Sequence, residues 1–189
     1  MYFGLSEEQE FFHDNVKKFL LDNASIDEIR KIANGDDNSI QKDILQGIVN
    51  LGVNSLLVPE EYGGLGTELL HAVSISQALG GGVGPVPFLG SYVMAPLALS
   101  LGGNENQKKV YLPKIVSNEI RFGVGLSEFI GAREDAGLEI NKNKVSGRAL
   151  FVIDAENADK IILSTNCLLY TSDACRRVLR CSSRGAAGG

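Results

Sequence analysis

Tryptophan is absent from the 189 residues, methionine and histidine occur twice each, and cysteine is confined to Cys167, Cys175 and Cys181. A body of 166 residues without a thiol cannot be a disulfide scaffold. Three thiols with no histidine nearby make a poor zinc site. No apolar run approaches the roughly 20 residues of a membrane-spanning helix. The N-terminus lacks a basic stretch followed by an apolar one, so no export signal is read and the cytoplasm is the expected location. A net charge of −5 argues against a nucleic-acid partner. What is present, 44% hydrophobic and 22% charged residues, describes a soluble globular chain that buries a core. The length suits one ordinary domain or a large and a small one.

Six helices are expected first. Ser6 with Gln9 forms a capping box ahead of Phe12, Val16, Phe19 and Leu20 at helical spacing, which predicts a helix over 6–21. A short helix follows over 26–33, ended by Asn34-Gly35. Ser39 is positioned to cap a third, with Ile40, Ile44, Ile48 and Leu51 on its apolar face and Gly52 as its left-handed stop. Residues 53–58 are apolar and run into Pro59, so they are read as extended or irregular. Thr67 is positioned to cap a helix ending at Leu79. A helix that is apolar nearly all round spans about 88–101 and should be central. Asn104 with Gln107 makes a second capping box for a helix to about Ser117, bent by Pro113.

The character changes after Asn118. Segments 121–126, 138–140, 144–153 and 160–164 read as short strands separated by Gly and Asn-Lys-Asn turns. Helices and strands do not alternate, which argues against a doubly wound sheet. The expected class is α+β: an all-α N-terminal domain over 1–120, then an incomplete antiparallel β domain over 121–166.

Few residues advertise chemistry by themselves. The glycine clusters at 63–66 and 80–84 give no full G-x-G-x-x-G between a strand and a helix, so a dinucleotide fingerprint is unsupported. His13 and His71 have no Ser, Cys or carboxylate pair at a telling spacing and read as exposed or core residues. Adjacent Glu60 and Glu61 on an extended loop point apart, as solvated or capping groups do. In PEEYGGLG, Pro59 stops the preceding segment and Gly63-Gly64 allow a tight turn.

Four ordered motifs carry more. Pro59–Gly66 (PEEYGGLG), Gln107–Pro113 (QKKVYLP), Ser127-Glu128 and Val145–Asp159 (VSGRALFVIDAENAD) follow one another at the spacing of acyl-CoA dehydrogenases, and residues 5–166 resemble that family throughout. The stretch VGPVPFLGSYVMAPLAL is most similar to bacterial branches, including steroid- and aromatic-degrading members. The resemblance implies an FAD-dependent enzyme that desaturates an acyl-CoA thioester at the α,β carbons. A glutamate removes the α-proton while a hydride passes from the β-carbon to the flavin. It also implies a homo- or hetero-oligomer and an electron-transfer flavoprotein or similar acceptor.

Residue by residue, Val124, Leu126 and Ser127 fall where main-chain groups and a hydroxyl hold the flavin pyrimidine edge. Phe151 falls where an aromatic packs on the ring. Ile153 stands where a Thr or Ser often meets the reactive flavin nitrogen, and it has no hydroxyl to offer. Arg133 replaces the serine of a GSD motif. Val86, Pro87, Gly90 and Met94 align near the acyl channel, where small Gly90 leaves room for a bulky acyl group. The family's base usually lies in a C-terminal helical domain, so no residue here is assigned as the base.

From Cys167 the composition shifts: four arginines stand against one aspartate, and the chain closes on Gly-Ala-Ala-Gly-Gly. This tail reads as non-family sequence that is poorly packed, and the whole as an inactive piece of a dehydrogenase. A non-catalytic partner subunit of a heteromeric dehydrogenase, or an acyl-CoA oxidase relative, is the alternative.

Overall fold

The computed structural model describes residues 4–35, 38–125, 137–141, 144–164 and 182–183, and the chain divides into two compact units, Met1–Phe88 and Leu89–Gly189. The first unit holds α1 (Glu7–Asn23), α2 (Ile26–Asn34), α3 (Asn38–Asn50) and α4 (Leu69–Gly81). Its start signals are chemical. Ser6 Oγ accepts from the Gln9 N–H at 3.2 Å, and Gln9 Oε1 accepts from the Ser6 N–H at 3.0 Å. Ser25 and Glu28 repeat the box at α2, and Gly35 closes that helix in the left-handed region. These reciprocal bonds satisfy amides that a helix start leaves open. Val16 and Leu20 of α1, Ile44 and Ile48 of α3 and Ile75 of α4 are buried together with Val53, Leu56 and Val58.

Two expected caps fall elsewhere. Helix α3 begins at Asn38, one residue before Ser39. Helix α4 begins at Leu69 after Glu68, which caps without a side-chain bond, because Thr67 is already engaged. Its hydroxyl donates to the Leu56 carbonyl at 3.0 Å, and its N–H donates to the same oxygen at 2.9 Å. Residues 53–58 are irregular, opening with a 3₁₀ turn at Val53–Ser55. Their carbonyls are satisfied by the returning loop: Leu65 donates to Ser55 and Gly66 to Val58, each at 2.9 Å.

PEEYGGLG is thus a loop stitched onto the segment before it. Gly63 takes φ +86°, and a Cβ on Gly64 would run into the Val58 carbonyl.

In the second unit the expected single helix over 88–101 is two pieces: a π-helical turn, Phe88–Met94, and α5 (Ala95–Gly102). Pro96 near the start of α5 has no N–H for the carbonyl four residues back, so regular winding cannot pass through it. Helix α6 (Glu105–Val116) starts in the Asn104–Gln107 box and carries Pro113 inside.

Strands β1 (Phe122–Gly125) and β4 (Lys160–Leu163) pair in parallel, with Val124 opposite Ile162. Strands β2 (Gly137–Asn141) and β3 (Lys144–Arg148) form an antiparallel hairpin, and β5 (Ser182–Ser183) pairs antiparallel with β4. The β portion is therefore mixed where antiparallel pairing alone was expected. A long connection containing the hairpin separates β1 from β4, and such a crossover permits parallel pairing. Apart from Ser182 and Ser183, the residues from Cys167 onward lie outside those described. Tyr92, Leu99, Leu112, Ile115, Phe122 and Ile162 fill the core of this unit. Among the described residues, no helix is long and apolar enough to cross a membrane.

One substitution at two glycines should act in opposite directions. Gly64→Ala forces Val58 backbone to move and should destabilise the first unit by about 1–3 kcal/mol. Gly80→Ala, on α4 with open space around it, should stabilise by about 0.5–1 kcal/mol. Urea unfolding of the two variants beside the parent chain measures both.

Candidate flavin- and acyl-facing site

The sequence-predicted residues fall on a few segments. Val86 and Pro87 are half-buried in the first unit, in a tight stretch where the Val86 N–H donates to Gly84 and its carbonyl accepts from the Phe88 N–H. Gly90 and Met94 lie on the π-helical turn, the first buried and the second half-buried. Val124 is a buried residue of β1. Phe151 and Ile153 belong to the loop between β3 and β4, and Leu126, Ser127 and Arg133 lie outside the described residues.

The expected strand over 144–153 ends at Arg148. Phe151 and Asp154 both adopt φ of +53°, in the left-handed region, so the chain cannot continue extended. Ile153 makes an isolated bridge to the sheet. Its N–H donates to the Val124 carbonyl and its carbonyl accepts from the Val124 N–H, both at 2.9 Å. The Val124 N–H is therefore committed, and its side chain is inside. Phe151 is different: the residue is 72% exposed although large, apolar and held on an unusual backbone.

Sequence reasoning missed Asp154. Its carboxylate Oδ2 accepts from the Gly90 N–H at 2.6 Å and the Ser91 N–H at 3.3 Å, amides at the opening of the π-helical turn. Burial raises its carboxyl above the ordinary aspartate range, and the two amides draw it part of the way back. A Cβ on Gly90 would lie 2.8 Å from this oxygen and 3.0 Å from the Ile153 carbonyl. The smallness of Gly90 thus serves close packing of the 153–154 segment. The signal in the sequence was a single acid directly after the apolar run FVI.

Neighbouring bonds make the region continuous. Buried Ser91 Oγ accepts from the Phe122 N–H at 2.8 Å, and Asp159 Oδ2 accepts from the Arg121 N–H at 2.8 Å. The Tyr92 hydroxyl donates to Asn118 Oδ1 at 3.0 Å, and burial pushes its phenol up to about 12. In the first unit His71 is a buried histidine, as a core reading allows. Its ring stands edge-on to Phe12, with Nε2 3.6 Å from Glu8 Oε2, and neither ring nitrogen makes a hydrogen bond. Among the described residues, no three His, Cys, Asp or Glu side chains gather as a metal site would need.

The Asp154 environment fixes a pH dependence. A raised carboxyl means that the folded chain holds this proton more tightly than the unfolded chain does. Its contribution to stability is largest below the ordinary aspartate value and falls as pH rises through the folded value. Asp154→Asn keeps an oxygen for the Gly90 and Ser91 amides without the charge. The variant should be at least as stable as the parent near pH 7 and lose that advantage near pH 3, measured by urea unfolding at both.

Comparison with known proteins places this geometry. The family model described as "Acyl-CoA dehydrogenase, N-terminal domain" matches residues 6–119. The chain is similar to (2S)-methylsuccinyl-CoA dehydrogenase of Cereibacter sphaeroides, 34% identical over 122 residues, covering 62% of this chain and 21% of that protein. It is also similar to mitochondrial isovaleryl-CoA dehydrogenase of Pongo abelii, 26% identical over 168 residues, covering 85% and 40%. The chain thus spans less than half the length of these curated relatives. Among solved structures, the ChsE4-ChsE5 complex from Mycobacterium tuberculosis shares its fold with a TM-score of 0.74 at 21% identity, covering 87% of this chain and 45% of that one. An acyl-CoA dehydrogenase from Geobacillus kaustophilus does so with a TM-score of 0.68 at 23% identity, covering 90% and 46%. With a family model spanning more than half of its residues, four motifs in the family's order and a helical unit followed by the start of a β unit, the chain belongs to the acyl-CoA dehydrogenase family.

Proposed function

We propose that the protein carrying this chain is an FAD-dependent oxidoreductase that desaturates an acyl-CoA thioester to the 2,3-enoyl-CoA. The observation that supports it most is the match of residues 6–119 to the N-terminal domain of acyl-CoA dehydrogenases, and exposed Phe151 stands near the Val124–Ile153 bridge. When bound, FAD supplies the acceptor for the β-hydride. Phe151 gives the ring an apolar face, and the Ser127 hydroxyl is the donor for its pyrimidine edge. Val86, Pro87, Gly90 and Met94 are the positions that the resemblance aligns with the family's acyl channel. Removal of the α-proton falls to a base that the resemblance places in a C-terminal helical domain. Electrons leave to an electron-transfer flavoprotein or a similar acceptor, and the working unit is an oligomer.

A second reading rests on two specific features. Ile153 offers no hydroxyl and the Val124 N–H is already bonded, so the described residues present few donors to a flavin. These features favour a partner subunit that completes a heteromeric dehydrogenase. A fold relative of this chain is solved as a two-component complex, ChsE4-ChsE5.

Purification of the entire gene product separates the readings. Flavin retained and bleached anaerobically by an acyl-CoA supports the dehydrogenase. A colourless protein that gains flavin only with a second subunit supports the partner role. In the flavin-binding form, Phe151→Ala should weaken FAD retention by about two- to tenfold, the worth of one aromatic face, measured by flavin release during dilution.

A further inference from the structure

The acyl-facing and flavin-facing residues of the second unit meet at one carboxylate. Gly90 and Met94 ride on the π-helical turn, and Phe151 and Ile153 ride on the loop. Between them lies Asp154, whose Oδ2 takes the Gly90 and Ser91 amides. One residue before it, Ile153 is bridged both ways to Val124. One residue after Gly90, Ser91 Oγ takes the Phe122 N–H, two residues before Val124 on the same strand. The ring closes: turn to carboxylate, carboxylate to loop, loop to β1, and β1 back to the turn. None of these joints is a regular helix or sheet ladder. Each depends on a single side chain or an isolated bridge.

We infer that Asp154 is a positioning residue that fixes the acyl-facing turn and the flavin-facing loop as one body, so that displacement of Gly90 is felt at Phe151. This rests on the flavin and acyl assignments of the proposed function, which it extends to a residue that touches neither ligand. The geometry supplies the stiffness. Gly90 has no Cβ, so its backbone approaches the 153–154 segment too closely for the two to slide independently. Phe151 and Asp154 hold left-handed backbone conformations, which are uncommon for residues with a side chain. Loss of the carboxylate leaves two amides without their acceptor and frees the loop to relax.

Hydrogen exchange on the full 189-residue chain tests the inference. Asp154→Ala should raise exchange by about tenfold or more both at the Gly90 and Ser91 amides and at Val124 and Ile153, with α3 amides such as Ile48 unchanged. Asp154→Asn, which keeps an acceptor oxygen, should restore protection at both places. Faster exchange at Gly90 and Ser91 alone would reduce Asp154 to a local cap and overturn the inference. Should Asp154→Ala unfold the unit, Gly90→Ala carries the test from the other side. Its Cβ meets Asp154 and the Ile153 carbonyl, and it must raise exchange at Ile153, or the inference fails.

A spectroscopic arm addresses the ligand. The chain has no tryptophan, so Phe151→Trp introduces a single indole whose emission is excited selectively over that of the five tyrosines. Quenching of that emission by added FAD, weakened several-fold when Asp154→Ala is added and recovered with Asp154→Asn, supports both the flavin face and its positioning. If FAD does not quench it, the flavin assignment of the loop fails while the exchange result still decides whether Asp154 joins the two segments.

Discussion

Backbone amides that leave regular structure must find acceptors, and in the second unit that need is met from far along the chain. A π-helical turn widens the backbone just where Pro96 prevents ordinary winding. Its leading amides are taken by Asp154, the first amides of the β1 region by Ser91 and Asp159, and the Val124 amide by Ile153. These bonds span tens of residues, so the unit's shape is a set of mutual obligations rather than a stack of independent elements. The first unit applies the same rule over shorter distances. There, the irregular segment before Pro59 is completed by the loop that returns from it.

Much of this was legible in the residues. The Ser6–Gln9 and Asn104–Gln107 boxes announced their helices because capping chemistry is local and needs no knowledge of the fold. The apolar spacing of Ile44 and Ile48 placed the buried face of α3. Reading stopped where distant partners decided the outcome. Thr67 is a fair helix cap by type, but the Leu56 carbonyl claims its hydroxyl first. Residues 149–153 are apolar enough to be strand, yet the conformations at Phe151 and Asp154 end it. Of the candidate site residues, Phe151 was proposed through the family's pattern. Asp154 carries no such label, because its value lies in two amides more than sixty positions earlier.

Gly90 shows what the absence of a side chain provides in this structure. A Cβ there would point at the Asp154 carboxylate and the Ile153 carbonyl, so only glycine lets this peptide segment pack against the turn at such a distance. The turn and the segment behind it are thereby held without slack.

The parallel pairing of β1 with β4 also bears on how the chain is made. A hairpin closes as soon as its second strand emerges, but β1 must wait until Lys160 to Leu163 have been synthesised before its main pairing exists. The first unit has a shorter wait, since the contacts internal to it lie within 88 residues. Folding during synthesis would therefore leave a finished helical unit followed by an open strand. A ribosome that pauses between Gly125 and Lys160 would hold an unpaired edge, the kind of surface on which nascent chains adhere to one another and to holding chaperones.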